Sequence, residues 1–362
     1  MLDSPKLGLA LLESVGHDGA MVDEEPLGEV DRLLMAALQL DGRAPWHVVA
    51  RAAGVSESTA QRRFAALRER GAARVIGVVD VLRCGLGVPV LTRVSCRPGT
   101  AESVAACLAA RPEARFVAVV TGAADAVAEF VVPTHRHLTQ LLARDMPAQD
   151  QLTESETFTV MRTFTAAHDW DPGLLDPDAA AMLRPEPVRP FEDQVWERPP
   201  DRLDDLELAI AAELGEDGRL PVKELAGRVG VSESTVARRI DSMVERGCLR
   251  FRTLVEPVLL GFAVEFMLWL DVEPAFLAAA GRELASRPGV KYLSATAGRF
   301  NLCGQVSLRH FADLYGFMTD VVGALPGVRR ADTTLQLETL KRAWVPTAPE
   351  RPAEPRKERS GR

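Results

Sequence analysis

The sequence predicts an α+β fold in which one unit, helices followed by mixed strands and helices, occurs twice in tandem. Two observations carry this prediction: a hexapeptide that recurs at a fixed offset, and a change from helical to strand-like periodicity within each copy. At 362 residues, 47% of them hydrophobic, the chain can form two to four packed cores. A duplication therefore explains the length.

The repeated hexapeptide is Gly-Val-Ser-Glu-Ser-Thr, at residues 54–59 and again at residues 230–235. Over residues 54–71 and 230–247 the two copies share eleven of eighteen positions, at an offset of 176. The same offset aligns the Asp-Gly-Arg at 41–43 with the one at 217–219, and Gly122 with Gly298. The repeat thus extends through most of the chain.

Three short helices are expected at the start of each copy. In the first helix, apolar residues follow a three-and-four spacing, and we expect it to stop at the Asp-Gly-Arg because glycine readily takes the left-handed conformation. The second helix should end at Gly54 or Gly230, and the third should begin at Ser56 or Ser232, whose hydroxyl can cap free N–H groups. This order predicts a helix-turn-helix.

Strand-like segments follow each helical unit. Residues 264–272 carry apolar side chains at alternate positions, as a half-buried strand requires. A helix, two strands around a turn at Gly298, a second helix and a last strand near 333–340 give the order βαββαβ. The first copy repeats it with strands near 88–96, 116–121, 126–132 and 157–164. The pattern predicts a ferredoxin-like sheet with helices on one face.

These assignments divide the chain into seven segments. They are an N-terminal extension (1–25), a (winged) helix-turn-helix (26–80), a ferredoxin-like effector and oligomerisation domain (81–170), a proline-rich linker (171–201), a second helix-turn-helix (202–256), a second ferredoxin-like domain (257–345) and a tail (346–362). The tail is rich in proline and charge, so we expect it to be disordered.

Composition excludes several classes of function. The sequence has no apolar run of eighteen residues and its first residues are acidic, so we expect a cytoplasmic protein without a membrane partner. Five scattered cysteines form no CxxC pair, and His135 and His137 have no third ligand nearby, so no metal site and no cofactor are predicted. No catalytic motif is present, and we expect no enzyme and no catalytic residues.

The net charge of −8 argues against nucleic-acid binding, but the charge is unevenly distributed along the chain. Residues 57–74 hold five arginines and two acids, and residues 233–252 hold five arginines and three acids. These segments coincide with the third helix of each unit. Short basic elements on an otherwise acidic protein are compatible with binding to double-stranded promoter DNA.

The outward face of the third helix is the predicted DNA-binding surface. Ala60, Phe64 and Leu67 define its buried stripe, and Arg62 lies opposite that stripe. Arginine can bond guanine bidentately in the major groove, and Ser or Thr can bond phosphates or bases. The predicted contacts are Ser56, Ser58, Thr59, Gln61, Arg62 and Arg63 in the first copy, and Ser232, Ser234, Thr235, Arg238 and Arg239 in the second.

Three alternatives remain open at this level. Exposed arginines are often simply solvated, and Arg63 and Arg239, which lie nearer the core edge, could equally hold phosphates or pair with an acid on a neighbouring helix. The ferredoxin-like domains could serve a small-molecule sensor or an enzyme, with the helical units making protein contacts. In the third alternative, only one of the two helix-turn-helix units binds DNA.

The Asp-Gly-Arg, the Gly-Val-Ser-Glu-Ser-Thr with its Arg-Arg pair and the Glu-Arg-Gly at the end of the third helix resemble the Lrp/AsnC, or feast/famine, family of prokaryotic transcriptional regulators. The resemblance covers about residues 27–344. It implies that the sheet domains pair and that an effector, often an amino acid, binds between them. Family members usually carry one unit and form homodimers or larger rings, so this chain could fold as a pseudo-dimer or still pair with itself.

The resemblance also places the effector at the turn between the middle strands, where a glycine precedes an acid. Thr121, Gly122 and Asp125 fit that pattern in the first copy. The second copy offers Gly298, Arg299 and Asn301, where an amide replaces the carboxylate. The other interpretation is that both glycines only permit tight hairpins.

Overall fold

The computed structural model describes residues 26–146, 151–184 and 200–347. The predicted N-terminal extension (1–25), the tail from residue 348 onward and the linker segment 185–199 lie outside the described residues. In the rest of the chain, both copies of the predicted unit are present, each with three helices followed by a βαββαβ domain.

The first copy contains ten helices and strands within the described ranges. They are α1 (Glu29–Leu40), α2 (Trp46–Ala52), α3 (Glu57–Glu69), β1 (Arg74–Val79), β2 (Val88–Cys96), α4 (Ala101–Ala109), β3 (Ala114–Thr121), β4 (Ala126–Val132), α5 (His135–Gln140) and β5 (Leu152–Thr165). The described part of the predicted linker holds a further helix, α6 (Pro177–Leu183), whose Leu183 packs into the core of the first helical unit.

The second copy follows the same order. Its elements are α7 (Asp205–Glu216), α8 (Val222–Val229), α9 (Glu233–Glu245), β6 (Leu249–Leu254), β7 (Val264–Val272), α10 (Leu277–Ala285), β8 (Val290–Ala297), β9 (Leu302–Leu308), α11 (Asp313–Gly316), β10 (Val328–Arg342) and the short β11 (Val345–Pro346). A wider π turn extends α5 over Leu141–Asp145 and α11 over Phe317–Val322.

The Asp-Gly-Arg glycines do not have the predicted left-handed conformation. The first helix of each copy is capped by Asp41 or Asp217 in extended geometry, and neither Gly42 nor Gly218 has a positive φ. The reason for glycine is space: a Cβ on Gly218 would lie 2.8 Å from the carbonyl carbon of Ile76. Close approach to the backbone of Ile76 requires glycine at 218, and close approach to the side chains of Val75 and Phe251 favours it at 42.

Strands β1 and β6 pair with each other and join the two helical units. The pairing is antiparallel and places Ile76 opposite Arg252, two residues that are equivalent in the repeat. Arg43 donates to the carbonyl of Gly218, and Arg219 donates to the carbonyl of Gly42. The two helix-turn-helix units therefore meet around a pseudo-twofold axis within one chain.

The two ferredoxin-like sheets close into a single eight-stranded ring. Each sheet keeps its own order, β3-β4-β2-β5 in the first copy and β8-β9-β7-β10 in the second. The last strand of each copy then crosses over: β5 pairs with β2 along its first half and with β8 along its second, and β10 pairs with β7 and then β3. The chain is thus an intramolecular pseudo-dimer.

Separate apolar clusters hold these parts together. The helices pack on the outer faces of the two sheets, and the ring interior holds an aromatic group in which the Phe158 and Trp269 centroids lie 5.4 Å apart. Leu259 and Phe262 of the second copy pack into the core of the first helical unit. Cys84 of the first copy packs into the core of the second helical unit. Burial of apolar surface therefore couples the two copies.

Candidate DNA-binding face and ring cavity

The third helix of each helical unit begins as the sequence predicts. Ser56 caps α3 by accepting a hydrogen bond from the backbone N–H of Thr59, and Ser232 caps α9 in the same way through Thr235. The predicted stripe of α3 is buried, and so are its equivalents Val236, Ile240 and Met243 in α9. The opposite face is therefore turned to solvent.

Arg62 and Arg238 lie on that outward face and are exposed. Within residues 26–146, 151–184 and 200–347, neither guanidinium has an ion pair or a hydrogen bond to the protein. Their five N–H donors are available to a ligand of opposite charge or to the acceptor edge of a base.

Arg63 and Arg239 are used differently. Arg63 pairs with Asp31 of α1 at 3.0 Å, and Arg239 pairs with Asp204 at 2.8 Å just before α7. These ion pairs hold the third helix of each unit against the first. They correspond to the alternative in which Arg63 and Arg239 pair with an acid on a neighbouring helix. The remaining predicted contacts, Ser58, Gln61 and Ser234, are exposed, although Gln61 donates to Glu57 at 3.2 Å.

The predicted effector turns have a structural role in both copies. Asp125 accepts a hydrogen bond from the backbone N–H of Cys96 at 2.7 Å, and Asn301 bonds both the N–H and the carbonyl of Val272 at 2.9 and 2.7 Å. Arg299 forms an ion pair with Glu156 at 2.8 Å. Thr121, Gly122 and Gly298 lie on the surface of the same turns. Asp125 and Asn301 thus each tie their turn to the end of the first strand of their sheet.

A cavity of about 100 Å³ lies at the mouth of the strand ring, beneath the β1–β6 pair. Every strand of the ring contributes to its lining, together with the ends of the β1–β6 pair. Val78, Leu91 and Phe116 are among its apolar lining residues. The polar lining residues are interleaved with them, since Phe116 lies opposite Arg342 and Leu91 opposite Glu129 on neighbouring strands, and they are Arg115, Glu129, His168, Arg252, Tyr292, Gln305 and Arg342.

The charged side comes mainly from the second copy. At the offset of 176, Arg252 corresponds to Ile76 and Arg342 to Ala166. Glu265, which pairs with Arg342, corresponds to Pro89. No local sequence motif reveals this site, because its arginines are dispersed along the chain. A comparison of the copies for positions charged in one and apolar in the other would have found it.

Burial shifts the ionisation of the groups around this cavity. It lowers the pKa of Lys291 to about 8, although Glu265 opposes the shift. Burial would raise the pKa of Glu265, but Arg342 and Lys291 outweigh it and hold the value at about 2. Burial also lowers the pKa of His168, which favours the neutral imidazole at neutral pH. The polar side is therefore a dense, largely ionised network.

No helix within residues 26–146, 151–184 and 200–347 is long and apolar enough to cross a membrane. In the same part of the chain, no group of three or more His, Cys, Asp or Glu side chains is placed to hold a metal ion.

Family models match four segments of the chain. The AsnC-type helix-turn-helix domain matches residues 27–68 and 203–244, and the Lrp/AsnC ligand binding domain matches residues 90–168 and 265–345. The chain belongs to the Lrp/AsnC family of transcriptional regulators, and it carries two units in tandem.

Curated relatives align with one unit. An uncharacterised HTH-type transcriptional regulator of Pyrococcus abyssi is 31% identical over 135 residues, which are 37% of this chain and 85% of the relative. The HTH-type transcriptional regulator LrpA of Pyrococcus horikoshii is 26% identical over 140 residues, covering 38% of this chain and 99% of LrpA. Each relative thus corresponds in length to one copy.

Among solved structures, the siroheme decarboxylase NirDL resembles both copies together. The superposition covers 87% of this chain and 93% of NirDL, with a TM-score of 0.56 and 16% sequence identity. At this identity the likeness concerns the fold: a tandem pair of units in one chain.

Proposed function

We propose that this protein is a sequence-specific DNA-binding transcriptional regulator that responds to a small effector. The observation that carries the proposal is the pair of exposed, unpaired arginines, Arg62 and Arg238, at equivalent positions of two capped recognition helices. In a helix-turn-helix this face enters the major groove, where arginine bonds the O6 and N7 of guanine.

The connection between the helical units supports this reading. The β1–β6 pair and the reciprocal arginine bonds at the two Asp-Gly-Arg motifs join the units within one chain. Two recognition helices related by a twofold axis suit a site with two half-sites, about 34 Å or one DNA turn apart. Arg63 and Arg239, which are held by acids, are then positioning residues rather than base contacts.

The test is selection of binding sites from a random duplex library, followed by titration of the selected DNA with wild type, Arg62→Ala and Arg238→Ala. Each variant should bind the selected site roughly 10-fold or more weaker, because a bidentate arginine–guanine contact contributes about 1–3 kcal/mol. Affinity of wild type should also fall steeply with salt. Failure to select any preferred sequence would contradict the proposal.

Arg329→Ala is the matched control. Arg329 lies on β10 of the ring, is largely exposed and pairs with Glu273 at 3.4 Å. Its substitution removes the same charge far from α3 and α9, so affinity for the selected site should stay within about twofold of wild type. Equal losses in all three variants would indicate a nonspecific charge effect.

The effector response is proposed from the two Lrp/AsnC ligand binding domains. The turn residues Thr121, Gly122 and Asp125, with Gly298, Arg299 and Asn301, are its predicted contacts. Repeating the DNA titration with each standard amino acid tests the response. Asp125→Ala should abolish it if the carboxylate receives the ammonium group of the effector, and an unchanged response would exclude Asp125 from the site.

The likeness to NirDL and the arginines at the ring mouth favour a second candidate, an enzyme acting on a carboxylated tetrapyrrole. The cavity of about 100 Å³ is much smaller than such a macrocycle, but a groove of about 920 Å³ lined by Arg68, Arg74 and Arg342, among others, is large enough, so volume does not decide between the two. An absorbance titration with an iron-uroporphyrin III analogue, of the kind bound in a NirDL structure, separates the two. A saturable spectral shift with release of carbon dioxide from sirohaem would establish the enzyme.

A further inference from the structure

Arg252 is the starting point, because it is a cation at the cavity without a carboxylate partner. It lies on β6, it lines the cavity, and its Nε is buried without a hydrogen bond. No ion pair to Arg252 occurs among the residues that the structure describes. Burial, together with repulsion by Arg342 and Arg115, lowers its pKa to about 9, which leaves it charged at neutral pH.

The other cations at this site already have partners. Arg115 forms a bidentate pair with Glu129, and Arg342 contacts Glu256 at 3.2 Å and Glu265 at 3.0 Å. Lys291 pairs with Glu265 at 2.8 Å. The existing carboxylates therefore hold Arg115, Arg342 and Lys291. Arg252 has only the more distant attraction of Glu256 and Glu265, without a direct carboxylate partner, a costly arrangement unless an anion completes it.

We propose that the ring cavity binds one small carboxylate per chain and that Arg252 is the cation that pairs with it. The site is single because Arg252 and Arg342 occur in the second copy alone, with Ile76 and Ala166 at the equivalent positions. This cavity is a second ligand site, separate from the turn residues proposed above for the effector, and it depends on the proposed function only in the effect on DNA.

The size and lining of the cavity restrict the ligand. A cavity of about 100 Å³ is smaller than the roughly 150 Å³ cavity known to hold benzene, so the ligand has only a few non-hydrogen atoms. Val78, Leu91 and Met267 are among the apolar residues of the lining. A short or branched aliphatic monocarboxylate matches this mixed lining, with its carboxylate toward Arg252 and its chain against the apolar residues.

The position of Arg252 links the cavity to the helical units. Arg252 is on a strand that pairs with β1, and these two strands join the helix-turn-helix units. A carboxylate bound between Arg252 and the ring would therefore fix the β1–β6 pair relative to the ring. The ligand would change DNA affinity if it bound one orientation of the pair better than another.

The test is thermal unfolding of the full chain without DNA, with isobutyrate as the probe and isobutyramide as its uncharged counterpart. Isobutyrate at about ten times its Kd should raise the Tm by about 2–4 °C, because it binds only the folded state. Isobutyramide should give no shift. Acetate and propionate extend the series toward smaller ligands.

Arg252→Met keeps the length of the side chain and removes its charge. Because it removes a cation whose Nε is buried without a hydrogen bond, the ligand-free variant should have a Tm above that of wild type, and the isobutyrate shift should disappear. Arg329→Met, at the exposed Arg329–Glu273 pair, should keep the full shift. A folding defect in Arg252→Met would lower the Tm of the ligand-free variant. A raised Tm together with loss of the isobutyrate shift therefore indicates loss of a ligand contact.

Two results would overturn the proposal: no Tm shift with any of the three carboxylates in wild type, or an equal shift in Arg252→Met. Neither measurement involves DNA. A negative result would therefore contradict the carboxylate site only, and the DNA titrations would still test the regulator. Loss of specific DNA binding with a retained carboxylate shift would instead contradict the regulator and preserve the binding site.

Discussion

At the scale of single residues, Glu265 organises the charged wall of the cavity. It accepts hydrogen bonds from Lys291 at 2.8 Å, from Ser307 at 3.2 Å and from Arg342 at 3.0 Å. The first copy has Pro89 at the equivalent position. One carboxylate thus holds two cations of the second copy, and its charge has a measurable effect on stability.

Glu265→Gln should change how stability depends on pH. The pKa of Glu265 lies at about 2, below its ordinary value of 4.5, so the folded state binds the proton less tightly than the unfolded chain. Its stabilisation is complete above pH 4.5 and is lost as the pH falls toward 2. We expect the variant to be less stable by about 3 kcal/mol at pH 7 and the difference to shrink in acid.

Urea unfolding at several pH values between neutrality and acid measures this difference. Glu338→Gln is the control, because Glu338 is exposed on β10, and its unfolding free energy should follow that of wild type. A Glu265→Gln deficit that stayed constant down to pH 3 would show that packing, rather than charge, is responsible.

At the scale of elements, the contact between the two helical units depends on backbone proximity. A Cβ on Gly218 would lie 2.8–3.0 Å from three backbone atoms of Ile76 on β1. Backbone atoms cannot move aside as the end of a flexible side chain does, so the second unit would have to shift. Arg43 and Arg219, which bond across the same contact, would lose their geometry.

Gly218→Ala should therefore destabilise the chain by about 2 kcal/mol or more, as overpacking does. Gly227→Ala is the matched change. Gly227 lies within α8, it has no positive φ, and its added Cβ meets nothing within 4 Å. It should stabilise by about 0.5–1 kcal/mol, because alanine favours the helix. Thermal unfolding of both variants gives the comparison, and equal effects would refute the close-approach explanation.

Periodicity predicted most elements but not their partners. The buried stripe of α3 and the strands β2 and β4 follow from local pattern, and the structure confirms them. Strands β5 and β10 extend well beyond their predicted ends. Each changes partner halfway, so its burial does not alternate regularly, and a pattern of period two detects only part of it. The β1–β6 pairing is similarly long-range and leaves no local signal.

At the scale of the whole molecule, the repeat predicted two units, while the cavity emerges only from their closure into one ring. Its lining residues are distributed from Val78 to Ala343, so no local motif contains them. The candidate DNA-binding face could be predicted because it lies on one helix. Whether Arg63 and Arg239 face solvent or an acid depends on the neighbouring helix, which required the fold.

The two recognition helices are similar but not identical, which predicts unlike half-sites. Gln61 of α3 corresponds to Ala237 of α9, whereas Arg62 and Arg238 are retained. Glutamine can bond adenine bidentately, and alanine cannot. We expect selected DNA sites to share the bases read by the arginines and to differ at one position. Gln61→Ala should weaken binding there by about 1–3 kcal/mol.

Site selection with wild type and Gln61→Ala tests this directly. The variant should select two half-sites that are more alike, with the distinguishing base lost from one side only. Identical half-sites already in the wild-type selection would contradict the prediction.

Because β5 and β10 cross between the two sheets, pairing of the two units does not depend on protein concentration. In a regulator assembled from separate subunits, the paired form is depleted by mass action when few molecules are present in a cell. Here the strands that close the ring belong to one polypeptide, so each half meets its partner at a fixed effective concentration, however scarce the protein is. A single molecule can then present both recognition helices to one stretch of DNA.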